Sequence, residues 1–238
     1  MTLLAAPNLS EGRDFARLER LEAALGGTVK LLDRHTDLDH DRAVFTLAGA
    51  TGDLEAALLG LARAAVAEID MTEWRGIHPA IGALDVCPVI WAREEDRERA
   101  GESALRMGDA IGALGVPVFL YGDLAPTAER RERAFFRRGG LDRLWERMAA
   151  PDPLRPDFGP PRPHPTAGAC LVTARPPLAA FNLELATDDV EIAREIAAAI
   201  REKRATPEAG DPTPGAGGVA PGDGPGWMTG GTYLVVRK

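Results

Sequence analysis

Four histidines occur in the 238 residues: His35, His40, His78 and His164. His78 has the strongest local signal. It precedes Pro79, which disfavours the α conformation and holds the residue extended. It stands in the run Arg75-Gly-Ile-His-Pro-Ala-Ile-Gly-Ala-Leu-Asp-Val-Cys-Pro88, between a helical pattern and an apolar strand. A neutral imidazole held there can take and return a proton near neutral pH; the plain alternative is a His-Pro turn on the surface. A second cluster, residues 33–41, packs four aspartates and two histidines into nine positions. If extended, it would put Asp33, His35, Asp37, Asp39 and Asp41 on one side, where oxygen and imidazole ligands could hold a metal. A solvated inter-strand loop is the simpler reading and the one adopted. Arg137-Arg138-Gly139-Gly140 could grip a carboxylate, but it too reads as solvated charge at a helix interruption. The cysteines, Cys87 and Cys170, match no metal or redox spacing. P-loop, dinucleotide and nucleophile-elbow signatures are absent from the sequence.

Elements must exist to hold these groups, and the composition allows them. Hydrophobic residues make up 45% and charged residues 27%, which fits a chain that folds around a core. The balance of 28 basic and 36 acidic residues argues against a nucleic-acid or anionic-membrane partner, since both need a cationic footprint. Two cysteines, no basic N-terminal region and no run of 18 apolar residues lead to the expectation of a soluble, cytoplasmic protein. Glycine (26) and proline (19) are in excess and concentrated. Nine prolines fall within 151–177, and nine glycines and five prolines within 205–231. The first stretch reads as a connection between two parts, the second as a loose loop.

Periodicity predicts strands over 2–6, 29–33, 43–47, 83–90 and 116–121, with helices over 15–25, 54–69, 94–114 and 127–149. That order contains the βαββαβ unit of ferredoxin-like α+β folds. Beyond the prolines, 169–173 and 178–185 are expected to pair as strands. A helix carries Ile192, Ile196 and Ile200 on one stripe, and a last strand covers 232–236. The domain reading is therefore 1–150, a connection at 151–177, and a second part at 178–238.

Seven ordered blocks give the chain a family resemblance. They are Pro7-Asn-Leu-Ser-Glu-Gly12, Asp41-Arg-Ala-Val-Phe-Thr-Leu-Ala-Gly49, His78-Pro-Ala-Ile-Gly-Ala-Leu-Asp-Val-Cys-Pro88, Val116-Pro-Val-Phe-Leu-Tyr-Gly122, Arg137-Arg-Gly139, Pro156-Asp-Phe-Gly-Pro160 and Ala179-Ala-Phe-Asn182. On these blocks residues 3–203 resemble the transferase domain of glutamate formiminotransferases, including the formiminotransferase-cyclodeaminases. The resemblance implies two α/β subdomains with facing sheets and a tunnel between them. It implies transfer of a formimino group from N-formimino-L-glutamate to N5 of tetrahydrofolate, the co-substrate, during histidine breakdown. His78 matches the proposed acid/base of the family, and no metal is required. Asn8, Asp33, Arg42, Tyr121, Gly122, Arg175 and Asn182 are then expected to bind substrate or folate, Arg175 through a substrate carboxylate. The partners implied are small molecules, with a homodimer left open. Four positions depart from the family pattern. Ile77 replaces Glu, Ala80 replaces Arg, Asp41 replaces Asn, and His35 replaces Asp. The family's second subdomain also continues past the position of Lys238, so a shortened one is expected here. The competing readings are a catalytically inactive paralogue that binds folate or a related ligand or serves as a partner subunit, and a transferase or hydrolase for another formimino or acyl substrate.

Overall fold

A computed structural model describes residues 2–77, 79–178, 181–185, 189–204 and 232–236 of the chain. It divides into two compact units, Met1–Pro177 and Leu178–Lys238.

The first unit starts with β1 (Thr2–Ala5) and β2 (Asn8–Leu9), separated by Pro7, which has no N–H to give to a ladder. Helix α1 (Phe15–Ala23) opens where Asp14 accepts the Arg17 N–H at 2.9 Å, and the chain turns off it at Gly26 with φ 71°. β3 (Lys30–Asp37) and β4 (Arg42–Ala50) form an antiparallel pair, followed by α2 (Thr51–Glu68). Next come β5 (Leu84–Ile90), α3 (Arg97–Gly112), β6 (Val118–Leu120), α4 (Arg133–Arg137), α5 (Gly140–Ala149) and β7 (Cys170–Arg175). These strands make one mixed sheet. β3 lies at one edge beside β4; β1 and β2 lie between β4 and β5, antiparallel to both; β7 and then β6 extend the sheet in parallel beyond β5. The α+β expectation with its βαββαβ unit is met by β1–α1–β3–β4–α2–β5.

Alternation along the strands assigns two faces. Val118, Leu120, Cys170 and Val172 join Phe45, Leu47, Leu54, Leu58 and Leu61 in the larger core beneath α1, α2 and α3. Phe119 and Leu171, one residue out of phase, join Val86, Tyr121, Phe136, Leu144 and Met148 in a second core under α4 and α5.

Three expectations change. The helix expected over 127–149 is broken. A short 3₁₀ turn at Ala128–Arg131 precedes α4, and α5 starts only after Gly139 (φ 81°) and Gly140 (φ 71°), left-handed positions that glycine occupies without strain. Among the described residues, 169–173 do not pair with 178–185 as expected: β7 pairs with β5 and β6 instead. Its run Cys-Leu-Val-Thr-Ala is buried throughout, as in a central parallel strand. The 151–177 segment thus contributes a central strand to the first unit and is more than a connection. Third, the acidic stretch is mostly strand, since β3 runs to Asp37 and only 38–41 turns.

In the second unit β8 (Phe181–Leu185) pairs in parallel with β9 (Thr232–Val236), and α6 (Val190–Arg204) lies between them in sequence. The glycine- and proline-rich 205–231 segment lies outside the described residues.

Candidate active site

The register brings several expected site residues onto one sheet face. His35 is opposite Val44, Val44 opposite Asn8, Asn8 opposite Val86, and Val86 opposite Leu171, so these residues form one lateral row. Asp33 is opposite Thr46 and Arg42 opposite Asp37, in phase with that row. Arg175 is opposite Ile90 and in phase with Leu171. Asn8, Asp33, His35, Arg42 and Arg175 therefore share the face that carries the second core. Tyr121 packs into that core directly after β6.

Local bonding holds Asn8, Arg175 and Tyr121. Asn8 donates its side-chain N–H to the Ala6 carbonyl at 2.8 Å. Arg175 donates to the Pro176 carbonyl at 2.9 Å. Tyr121 is buried, and burial pushes its hydroxyl pKa up, partly offset by the charges of Arg133, Arg175 and Arg137. Its carbonyl accepts the Thr173 hydroxyl at 2.7 Å. Gly122 has φ 62°, and a Cβ there would sit 2.8 Å from that same hydroxyl oxygen, so the turn admits only glycine without adjustment. Asn182 lies on β8 opposite Tyr233, in the second unit. His78 lies outside the described residues.

Its chain neighbours are firmly anchored. The Ile77 N–H donates to the Asp39 carbonyl at 3.3 Å, and the Trp74 indole N–H to the Asp41 carbonyl at 3.1 Å. A Cβ on Gly76 would stand 2.3 Å from the His40 carbonyl oxygen, so the loop and the β3–β4 turn meet backbone to backbone. On the other side, the Ser10 hydroxyl donates to the Gly82 carbonyl at 2.7 Å and the Ala169 N–H to the Ile81 carbonyl at 2.8 Å. Three segments, 10–14, 38–41 and 74–82, thus form one clasped rim.

Within this rim the acidic stretch serves its own backbone. Asp37 accepts the N–H groups of Asp39 (3.0 Å) and His40 (2.9 Å) and meets the His40 ring Nδ1 at 2.7 Å. Burial acts to raise the Asp37 pKa, but the His40 N–H, the His40 ring and the Asp39 N–H outweigh it and hold the carboxyl below its ordinary value. Asp41 is buried with φ 48°, accepts the Gly12 N–H at 2.9 Å and stands 3.6 Å from Arg13. The reading of 33–41 as a solvated loop is corrected here, because Asp37, His40 and Asp41 are partnered inside the rim. Among the described residues no three His, Cys, Asp or Glu side chains converge as a metal site. Of the other departures, Ile77 is 69% exposed, whereas Ala80 is buried.

Sequence reasoning missed a central pair. Asn8 is opposite Val86 but Leu9 is opposite Leu84, so Asp85 is the extra residue of a β-bulge. The bulge turns its carboxylate onto the Ile81 N–H (2.9 Å) and into a buried ion pair with Arg137. Arg137 does grip a carboxylate, but an internal one; the reading of this arginine as solvated is overturned, since it is only 7% exposed. The signal available in the sequence was an aspartate inside the apolar run Ala-Leu-Asp-Val-Cys, which must find a partner when buried. The two thiols are also buried, Cys87 with its pKa pushed up to about 12 and Cys170 raised by burial and by Cys87, so neither is a reactive thiolate. No helix among the described residues is long and apolar enough to cross a membrane.

Residues 2–175 match the formiminotransferase domain, N-terminal subdomain. Over 185 residues the chain is 39% identical to a glutamate formimidoyltransferase of Streptococcus pyogenes serotype M1, covering 76% of this chain and 62% of that one. The glutamate formimidoyltransferase of Thermoplasma acidophilum is 37% identical over 187 residues, covering 76% and 61%. The formimidoyltransferase-cyclodeaminase of Sus scrofa is 37% identical over 182 residues, 75% of this chain and 34% of that protein. The aligned region thus spans about three fifths of the two microbial relatives and one third of the pig protein. With the matched region coinciding with the first unit and its sheet, the chain belongs to the formiminotransferase family, its residues 2–175 forming the N-terminal subdomain.

Proposed function

We propose that this protein transfers the formimino group of N-formimino-L-glutamate to N5 of tetrahydrofolate, with His78 as acid and base. The observation that carries the reading is the shared sheet face. It gathers Asn8, Asp33, Arg42, Tyr121 and Arg175 beside a rim clasped to both sides of position 78. The neutral imidazole accepts the N5 proton as N5 forms its bond to the amidine carbon. The tetrahedral intermediate then breaks the bond from that carbon to the glutamate nitrogen, which takes the proton from the imidazolium and leaves as L-glutamate. Arg175 and Arg42 supply cationic contacts for the carboxylates of glutamate and folate. Holding two substrates on one face supplies much of the acceleration by fixing their approach. Two buried thiols with no disulfide fit a reducing cytoplasm.

Incubating the purified protein with both substrates and following 5-formiminotetrahydrofolate tests the proposal. Turnover that His78→Ala removes is the expected result. Absence of turnover with retained folate binding by calorimetry would instead establish the inactive-paralogue reading, which the replacement of a family arginine by the buried Ala80 favours.

A further inference from the structure

We infer that the buried Asp85–Arg137 pair is a positioning device for the proton-transferring residue, acting through the backbone of the segment that follows it; the inference rests on the role proposed above for His78.

The chain from Pro79 to Gly82 connects position 78 to β5. It is held by three different elements. Asp85, in the β5 bulge, accepts the Ile81 N–H at 2.9 Å; Ala169, just before β7, donates to the Ile81 carbonyl at 2.8 Å; Ser10, after β2, donates to the Gly82 carbonyl at 2.7 Å. Close approach fixes it further, since a Cβ on Gly82 would stand 1.8 Å from the Ala169 carbonyl oxygen. Of these holds, only the Asp85 bond depends on a charge that the core cannot solvate. Asp85 is 1% exposed and Arg137 is 7% exposed, so each is the other's charge partner at a depth where losing either would leave the remaining one buried and unpaired.

Arg137 is delivered for that purpose by unusual local structure. It ends α4, a helix of five residues entered from an extended Glu132 and left through an extended Arg138 and two left-handed glycines. Phe136 anchors the helix by packing 5.2 Å from Phe119 and 5.0 Å from Phe135, ring centre to ring centre. The pair therefore links the second core to the backbone three residues past position 78. Neither side chain need touch substrate.

Three full-length proteins test this: wild type, D85N/R137Q and D85L/R137M. The amide substitution keeps an acceptor for the Ile81 N–H while removing both charges. The apolar one fills the space but removes the acceptor; such replacements of a buried pair commonly leave a protein folded. D85N/R137Q is expected to keep kcat within about tenfold of wild type. D85L/R137M is expected to keep its melting temperature but lose about 100-fold in kcat at unchanged KM for both substrates, the scale of a misplaced catalytic group. Its Ile81 amide should exchange with solvent much faster than in wild type. Wild-type kcat in D85L/R137M, a loss confined to KM, or equal kcat losses in the two variants would each overturn the inference. Exchange in the wild type needs no variant: the Ile81 amide should be as protected as those of β5, and rapid exchange would overturn the inference even if D85L/R137M failed to fold. No wild-type turnover with a protected Ile81 sinks only the proposed function; turnover with an unprotected Ile81 sinks only this inference.

Discussion

The sheet face that carries the candidate site is built in two ways. Over β5, β7 and β6 it is sealed by α4 and α5, and three polar side chains buried there hold specific partners: Asp85 holds Ile81, Arg137 holds Asp85, and the Thr173 hydroxyl holds the Tyr121 carbonyl. Over β3 and the adjoining turn the same face carries Asp33 and His35 exposed, with Arg42 and Asp37 half-buried. The difference teaches where precision and where adaptability reside. An ionic group in the sealed half is costly without its partner and is therefore held in one place. In the open half, water can solvate a changed side chain, so substitutions are tolerated by the fold. Two of the four departures from the family pattern, His35 and Ile77, are exposed.

Mutations should separate the halves by size of effect. Arg137→Met alone leaves Asp85 buried without its cation and is expected to destabilise by about 3–5 kcal/mol in a urea titration. Phe136→Ala, which removes a fully buried ring from the second core, should cost about the same, 3–5 kcal/mol. If either changes stability by less than about 1 kcal/mol, the sealed half is not the rigid part.

An acid titration probes the rim between the halves. The Asp37 carboxyl titrates below its ordinary value of 3.8, so it is deprotonated more readily folded than unfolded. Its contribution to stability is present above that ordinary value and is lost as pH falls through the lowered one. Asp37→Asn should therefore flatten the fall of melting temperature below about pH 4 and leave the slope near pH 7 unchanged. An unchanged acid limb would show that the turn does not depend on this carboxylate.

The smallest stability effects belong to the open half. His35→Asp is expected to move unfolding free energy by no more than about 0.5 kcal/mol, while the proposed formimino transfer predicts a changed KM for formiminoglutamate. At the rim, Asp41→Asn should also be mild although Asp41 is buried, because the amide oxygen still accepts the Gly12 N–H and Asn tolerates φ 48° at least as well. A loss above about 2 kcal/mol for His35→Asp would erase the contrast between the halves.

Much of this architecture was legible in the residues. Apolar periodicity located β1, β4, β5, α1, α2 and α3, since each must turn a regular stripe toward the core. Gly139-Gly140 marks an interruption, yet the charged stretch on both sides suits a helix equally well, so the break in the helix is settled only by the two left-handed glycines. Adjacency in sequence points 169–173 toward 178–185, whereas burial on both faces suits β7 to its place between β5 and β6. Asn8, Asp33, Arg42, Tyr121 and Arg175 enter the candidate site through the family resemblance, and their common face follows only from the register and the packing of the second core. Asp85 reads as one letter of an apolar run, because nothing local announces a bulge or an arginine 52 residues away.

The sequence by itself determined the α+β class, the succession βαββαβ and, through ordered motifs, the family. These follow from local periodicity and residue identity. The tertiary structure alone decided that β7 enters the first sheet between β5 and β6, that the acidic stretch is half strand and half clasp, and that Asp85 and Arg137 meet. Those outcomes rest on burial and on pairing between distant segments. A buried charge selects its partner from whatever the folded core brings within reach, and the linear order of residues does not state what that will be.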